Sequence, residues 1–145
     1  MYTSASTTSA PTAGSDLAQH IQTAIQDCLN CAQLCDQCAA ECIRMDVPEI
    51  TECIELCMDC ADVCLLDARL MSRDSDYHFE TCELCARVCR DCADACGSIA
   101  DTGDSSNLLQ QCMEACQRCA DSCDAVGAMQ QSVESTEMPE SEDLH

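Results

Sequence analysis

Cys82-Glu83-Leu84-Cys85-Ala86-Arg87-Val88-Cys89-Arg90-Asp91-Cys92-Ala93-Asp94-Ala95-Cys96 carries its thiols at a 3-4-3-4 spacing. Residues three and four apart are neighbours on a helical surface, so this alternation lines every thiol along one stripe of an α-helix. It is also the a/d spacing of a helix that packs its stripe against partner helices. Bundle helices usually carry Leu or Ile at such positions. Here the seam is sulfur.

The pattern occurs four times. Cys28, Cys31, Cys35, Cys38 and Cys42 repeat the 3-4-3-4 spacing, while Cys53, Cys57, Cys60 and Cys64 run 4-3-4, as do Cys112, Cys116, Cys119 and Cys123. Together the stripes use all 18 cysteines of the chain. A long stripe followed by a short one, twice in the same order, marks a duplicated helical hairpin. Ala32, Ala39, Ala61, Ala86, Ala93 and Ala120 each follow a seam cysteine. Small residues there let helices approach closely.

Composition bounds the partners. The 145 residues suit a single domain. One Phe, two Tyr and no Trp are too few aromatics for an ordinary packed core, and the apolar share of 47% counts the cysteines. Six Arg and no Lys stand against 27 acids, a net charge of −21. That balance excludes nucleic acid, because affinity for phosphates rests on basic residues, and it disfavours an anionic membrane surface. The same charge favours solubility and attracts cations.

Residues 1–16 are rich in Ser and Thr, contain Pro11 and Gly14, and read as a disordered leader. They lack the basic start and apolar run of a secretory signal. Twin arginines are missing, and no stretch is long and apolar enough to span a bilayer. A cytosolic location is expected, where thiols stay reduced. That expectation and the one-faced spacing argue against a disulfide scaffold.

The first helix is predicted to start at Asp16 as N-cap, with Leu17, Ile21 and Ala24 ahead of its cysteines and Met45 behind them. Asp46-Val47-Pro48 marks a turn, Pro48 suiting the first turn of a second helix. That helix carries Ile50, four cysteines, Asp67 and Met71 on one face. Ser72-Arg73-Asp74-Ser75 is a polar break before a third helix with His78, five cysteines and Ile99 along its stripe. Residues 101–106 form a loop, and a fourth helix presents Leu109, four cysteines and Val126. From Gln130 onward the chain turns polar and acidic, so 132–145 is expected to be a disordered tail and 17–131 the folded unit.

Four long helices of about 25 residues with short connections predict an all-α, up-down-up-down antiparallel four-helix bundle. One end gathers Met45, Ile50, Ile99 and Leu109 and reads as an apolar plug. The other gathers Asp67, Met71 and His78 beside Ile21, Ala24, Val126 and Met129. Its soft and polar donors read as a mouth.

Cysteines lining a bundle interior point to a soft metal. Thiolate selects Cu(I), Zn(II) or iron–sulfur clusters. Cu(I) can be held by as few as two thiolates, and thiolates can bridge neighbouring ions. Helical neighbours about 5–6 Å apart at Cβ are close enough to converge on one ion. Zinc wants four donors at tetrahedral corners, and continuous stripes suit a chain of bridged ions better. One Cu(I) neutralising each thiolate would give a capacity on the order of 18 ions. A zinc or general soft-metal buffer is the alternative. An enzyme is not indicated, since the clustered cysteine run of ferredoxins is missing and no nucleophile–base pair or cofactor loop is visible.

The repeated C-x-x-C-A-x-x-C-x-x-C-A-x-x-C of 28–42 and 82–96, with the C-x-x-x-C-x-x-C-A-x-x-C of 53–64 and 112–123, resembles the bacterial copper storage proteins over residues 17–131. The lack of an export signal resembles the cytosolic branch of that family. The resemblance implies a bundle that forms homotetramers, fills its core with Cu(I) and protects the cell from free copper. By residue it implies all eighteen cysteines as ligands, with His78 and Met71 as donors where metal is admitted. His20 lies off the stripes. Met45 lies on one at the apolar end, as either ligand or plug. A copper chaperone or an efflux system is the further partner to expect.

Overall fold

The computed structural model describes residues 13–100 and 107–137, with side chains over 16–100 and 107–131. These residues form four helices: α1 (Ala13–Met45), α2 (Ile50–Ser72), α3 (His78–Ala100) and α4 (Leu108–Glu137). Each packs against two neighbours, α1 on α2, α2 on α3, α3 on α4 and α4 on α1. The backbones of the diagonal pairs stay apart. Short turns reverse the chain between α1 and α2 and between α2 and α3, and α4 runs antiparallel to α1, Cys119 meeting Cys28 and Cys112 meeting Cys35, so the ring is an up-down-up-down bundle, as the four stripes require.

The helix ends are set by local chemistry more than by the seam. α1 starts at Ala13, so Asp16 lies in its first turn and meets the positive end of the helix dipole instead of capping it. The expected leader therefore overlaps helix at 13–16, and residues 1–12 lie outside those described. α4 continues to Glu137, past the polar onset at Gln130, because a helix already nucleated gains one hydrogen bond per added residue. The rest of the expected acidic tail, 138–145, and the loop 101–106 lie outside the described residues.

Two turns fix the register of the first three helices. α1 is followed by Asp46 at φ 56°, and Pro48 falls in the turn, outside the helical span. The Ile50 N–H then donates to the Val47 carbonyl at 3.0 Å as α2 begins. At the far end of α2, Asp74 takes φ 54°. The Ser75 N–H reaches the Leu70 carbonyl at 3.0 Å and the Asp74 N–H reaches Met71 at 3.1 Å, the paired bonds of a Schellman cap. Ser75 then accepts from the Tyr77 N–H through Oγ at 3.1 Å and from the His78 N–H through its carbonyl at 3.2 Å. This turn places His78 at the start of α3, beside the end of α2.

The interior is sulfur flanked by methyl groups. All eighteen cysteines are buried, and Ala32, Ala39, Ala61, Ala86, Ala93 and Ala120 are buried beside them. Across the outer groove of α3 and α4, Arg90 donates to Asp124 at 2.7 Å and to Asp121 at 3.4 Å. No helix is long and apolar enough to cross a membrane among the described residues.

Candidate metal centre

The eighteen thiols are free and form one continuous column down the bundle axis. Neighbouring helices meet through Cys119 and Cys28 at 3.5 Å, Cys60 and Cys89 at 3.6 Å, and Cys64 and Cys85 at 3.7 Å. The diagonals, too far apart for backbone packing, are spanned by sulfur alone: Cys28 to Cys85 at 3.9 Å, Cys64 to Cys119 at 3.8 Å and Cys60 to Cys116 at 4.0 Å. Further down, Cys35 meets Cys112 at 3.7 Å, Cys57 meets Cys92 at 3.7 Å, and Cys53 meets Cys96 at 3.7 Å. Cys38 and Cys42 close the series at 3.9 Å.

These separations match what a bound ion imposes. With a metal–sulfur bond of about 2.3 Å, two thiolates on one ion lie about 3.8 Å apart in tetrahedral and about 4.0 Å apart in trigonal geometry. The column already sits at those distances. Groups of four sulfurs lie within 4.8 Å of one another, among them Cys28/Cys64/Cys85/Cys119, Cys31/Cys64/Cys89/Cys119, Cys31/Cys35/Cys60/Cys116, Cys35/Cys92/Cys112/Cys116 and Cys38/Cys53/Cys57/Cys96. The first four of these groups are linked by shared members: Cys64 and Cys119 serve two, as do Cys31, Cys35 and Cys116. Burial favours the neutral thiol throughout. Cys42 is pushed up to about 12 by burial, then by the charge of Cys38.

At the end where α2 meets α3, the column is topped by a carboxyl group. Asp67 is fully buried, with its oxygens 3.3 Å from Cys123, 3.5 Å from Cys82 and 3.8 Å from Cys28. Burial first, then charge on Cys123 and Cys85, pushes this carboxyl up to about 8. Met71 is buried one turn further out, its Sδ 3.7 Å from the Cys82 thiol. His78 is buried too, and its Nδ1 has no hydrogen-bond partner. Burial lowers the His78 pKa, with Asp74 opposing, and so favours the neutral ring, the form that can bind a metal ion. Ala24 and Val126 complete this end as fully buried apolar walls.

The structure thus brings the cysteine stripes into one column and sets Met71 against it. It also buries His78 at the same end. Asp67 was legible only as a mouth residue; its contact with three thiols makes it part of the column's first layer. The available signal was its heptad position, three residues after Cys64. His20 and Met45 are half-buried, Met45 packing against the core, and Met58 is exposed. At the opposite end Ile50, Ile99 and Leu109 are buried, forming the apolar closure that their positions predict.

The family model for copper storage proteins matches residues 17–130 of the chain. Solved structures agree. The Cu(I)-bound copper storage protein BsCsp3 is 32% identical, with a TM-score of 0.68, over 75% of this chain and 99% of that one. The apo form of copper storage protein 3 from Bacillus subtilis is 31% identical, with a TM-score of 0.64, over 73% and 97%. A cytosolic copper storage protein from Streptomyces lividans, determined with five coppers, is 33% identical, with a TM-score of 0.69, over 78% and 96%. No curated protein sequence matches the chain. A sulfur-lined bundle, a matching family model over almost the whole described span and agreement with copper-bound structures lead to one assignment: the chain belongs to the copper storage protein family.

Proposed function

We propose that this chain stores Cu(I) in the cytosol as thiolate-bridged ions along its sulfur column, with the eighteen cysteines as ligands. The observation that carries this reading is the sharing of thiols between adjacent four-sulfur groups. A shared thiolate bridges two ions, which suits a monovalent soft cation; zinc would require four sulfurs for each isolated site. The Streptomyces lividans relative is itself described as cytosolic, and reduced thiols suit that compartment.

Asp67, Met71 and His78 supply the admission end. Neutral His78 and Met71 take an incoming ion and pass it to Cys82 and Cys64, after which it moves down the column. The chain acts by holding copper, the role its family is named for. Exposed Leu29, Ile43, Leu65 and Leu66 are apolar surface of the kind a subunit interface covers, and a homotetramer is the assembly we assign. A copper chaperone or an efflux system would deliver or remove the ion.

Anaerobic titration tests the reading. Cu(I) added to reduced protein is expected to raise an ultraviolet thiolate-to-copper charge-transfer band until about one ion per cysteine is bound. Saturation near four ions, with Zn(II) outcompeting Cu(I) in the presence of a chelator, would replace it with a zinc buffer.

A further inference from the structure

α1 and α4 project past α2 and α3 at the end of the bundle that holds His78. Asp67, Cys28 and Cys123 share one level there, the Asp67 oxygens lying 3.3 Å from Cys123 and 3.8 Å from Cys28. From that level α2 runs six residues further to its cap Arg73, while α4 runs fourteen further to Glu137. At 1.5 Å per residue the end of α4 therefore stands about 12 Å above Arg73. Near the end of α2, a cavity of about 210 Å³ opens between α1 and α2. Leu29 and Ala68 form its apolar side, Leu29 being 43% exposed, and Arg69, Ser72 and Arg73 form its polar side. Arg69 and Arg73 are one helical turn apart, and neither makes an ion pair among the described residues. In a chain with 27 acids and six arginines, two neighbouring guanidiniums without a carboxylate invite an acidic occupant.

We infer that the chain's own residues 139–145, Pro-Glu-Ser-Glu-Asp-Leu-His, dock in this cavity in cis. Glu140, Glu142 and Asp143 pair with Arg69 and Arg73, and Leu144 packs on Leu29 and Ala68. Pro139 disfavours helix at the residue before it, so the chain turns off the α4 axis at this point. α2 and α4 stand on the diagonal of the ring, about 14 Å apart for neighbouring helices about 10 Å apart, which puts Arg73 about 18 Å from the end of α4. The six residues from Met138 to Asp143 reach about 20 Å when extended, and the paired side chains add to that. Residues 1–12 enter α1 at the same end but hold no acid, so charge selects the C-terminal segment. Docking covers Leu29 and leaves Ile43, Leu65 and Leu66 for subunit contact.

The chain has no lysine, which makes a zero-length cross-link specific. Arg69→Lys and, separately, Arg73→Lys place one side-chain amine in the cavity wall, and Arg87→Lys places one on the surface of α3 as a control. Equal amounts of unlabelled and heavy-nitrogen-labelled full-length chains are refolded together under reducing conditions. They are treated with a water-soluble carbodiimide, digested and read by mass spectrometry. Both α2 amines should link to Glu140, Glu142 or Asp143 within chains of one label, and the yield should fall about fivefold at about 1 M salt. Links confined to acids of α1 and α2 overturn the docking, as do tail links equally strong from the Arg87→Lys control. Tail links between chains of different label put the segment in a neighbouring copy and overturn the cis assignment. A second measurement uses the native arginines. Glutamyl endopeptidase should cut after Glu140 and Glu142 about fivefold faster in the double variant Arg69→Gln, Arg73→Gln than in the unaltered chain, and equal rates would again overturn the docking. None of these measurements involves copper, so their outcome is independent of the storage reading.

Discussion

Asp67 puts a carboxyl group where a bundle would normally place Leu. In the unfolded chain it ionises in the ordinary carboxylate range, and in the fold it is pushed up to about 8 by burial and by its thiol neighbours. Between those values the folded chain binds a proton that the unfolded chain has lost. This group therefore makes metal-free stability fall as pH rises from about 4 to about 8. Asp67→Asn keeps the shape and removes the titration. Thermal melts of reduced apoprotein should show the variant more stable at pH 8 by up to about 5 kcal/mol, with little difference near pH 4. Parallel pH slopes in the two proteins would assign the loss to other groups. His78 titrates in the opposite sense: burial lowers its pKa, so its nitrogen stays available at a pH where an exposed imidazole is already protonated. Replacing Met71 and His78 together by Leu should slow Cu(I) loading and chelator-driven removal, with capacity within about two ions of wild type, because the thiolates remain. Wild-type rates in that variant, with slowing on Met45→Leu instead, would move the main entrance to the other end.

The helices were legible in the sequence because each cysteine carries two kinds of information, the 3.6-residue period and the soft-donor chemistry. Their ends were less so. Asp46, Asp74 and Asn107 take the left-handed conformation that Gly usually marks, and α1 and α4 run into polar sequence that no seam position predicts. Asp67's contacts and the cavity between α1 and α2 were hidden for a different reason. Each depends on how α2 sits against other helices, which no single-helix pattern records. Within α4, Gly127 has open space where a Cβ would go. Gly127→Ala should stabilise the reduced apoprotein by about 0.5–1 kcal/mol, read from chemical denaturation. Gly97→Ala should gain less, since its Cβ would fall 3.1 Å from the Met113 sulfur and oblige that side chain to move. Equal gains at the two sites would mean that Met113 gives way at negligible cost.

For the molecule as a whole, the packing of small, buried, uncharged thiols between alanines predicts a bundle that is complete before metal arrives. Far-UV circular dichroism of reduced, metal-free protein should show strong helicity, unlike zinc fingers, whose folding waits for the ion. A coil spectrum that turns helical only on adding Cu(I) would reverse that order. The free thiols have a further consequence for exchange with the surroundings. Each Cu(I) that displaces a thiol proton swaps one positive charge for another, so filling is electroneutral for the polypeptide and acidifying for the solvent. In weakly buffered solution, a chain filled to one ion per cysteine should have released as many protons as it holds ions, and its electrophoretic mobility should equal that of the empty chain.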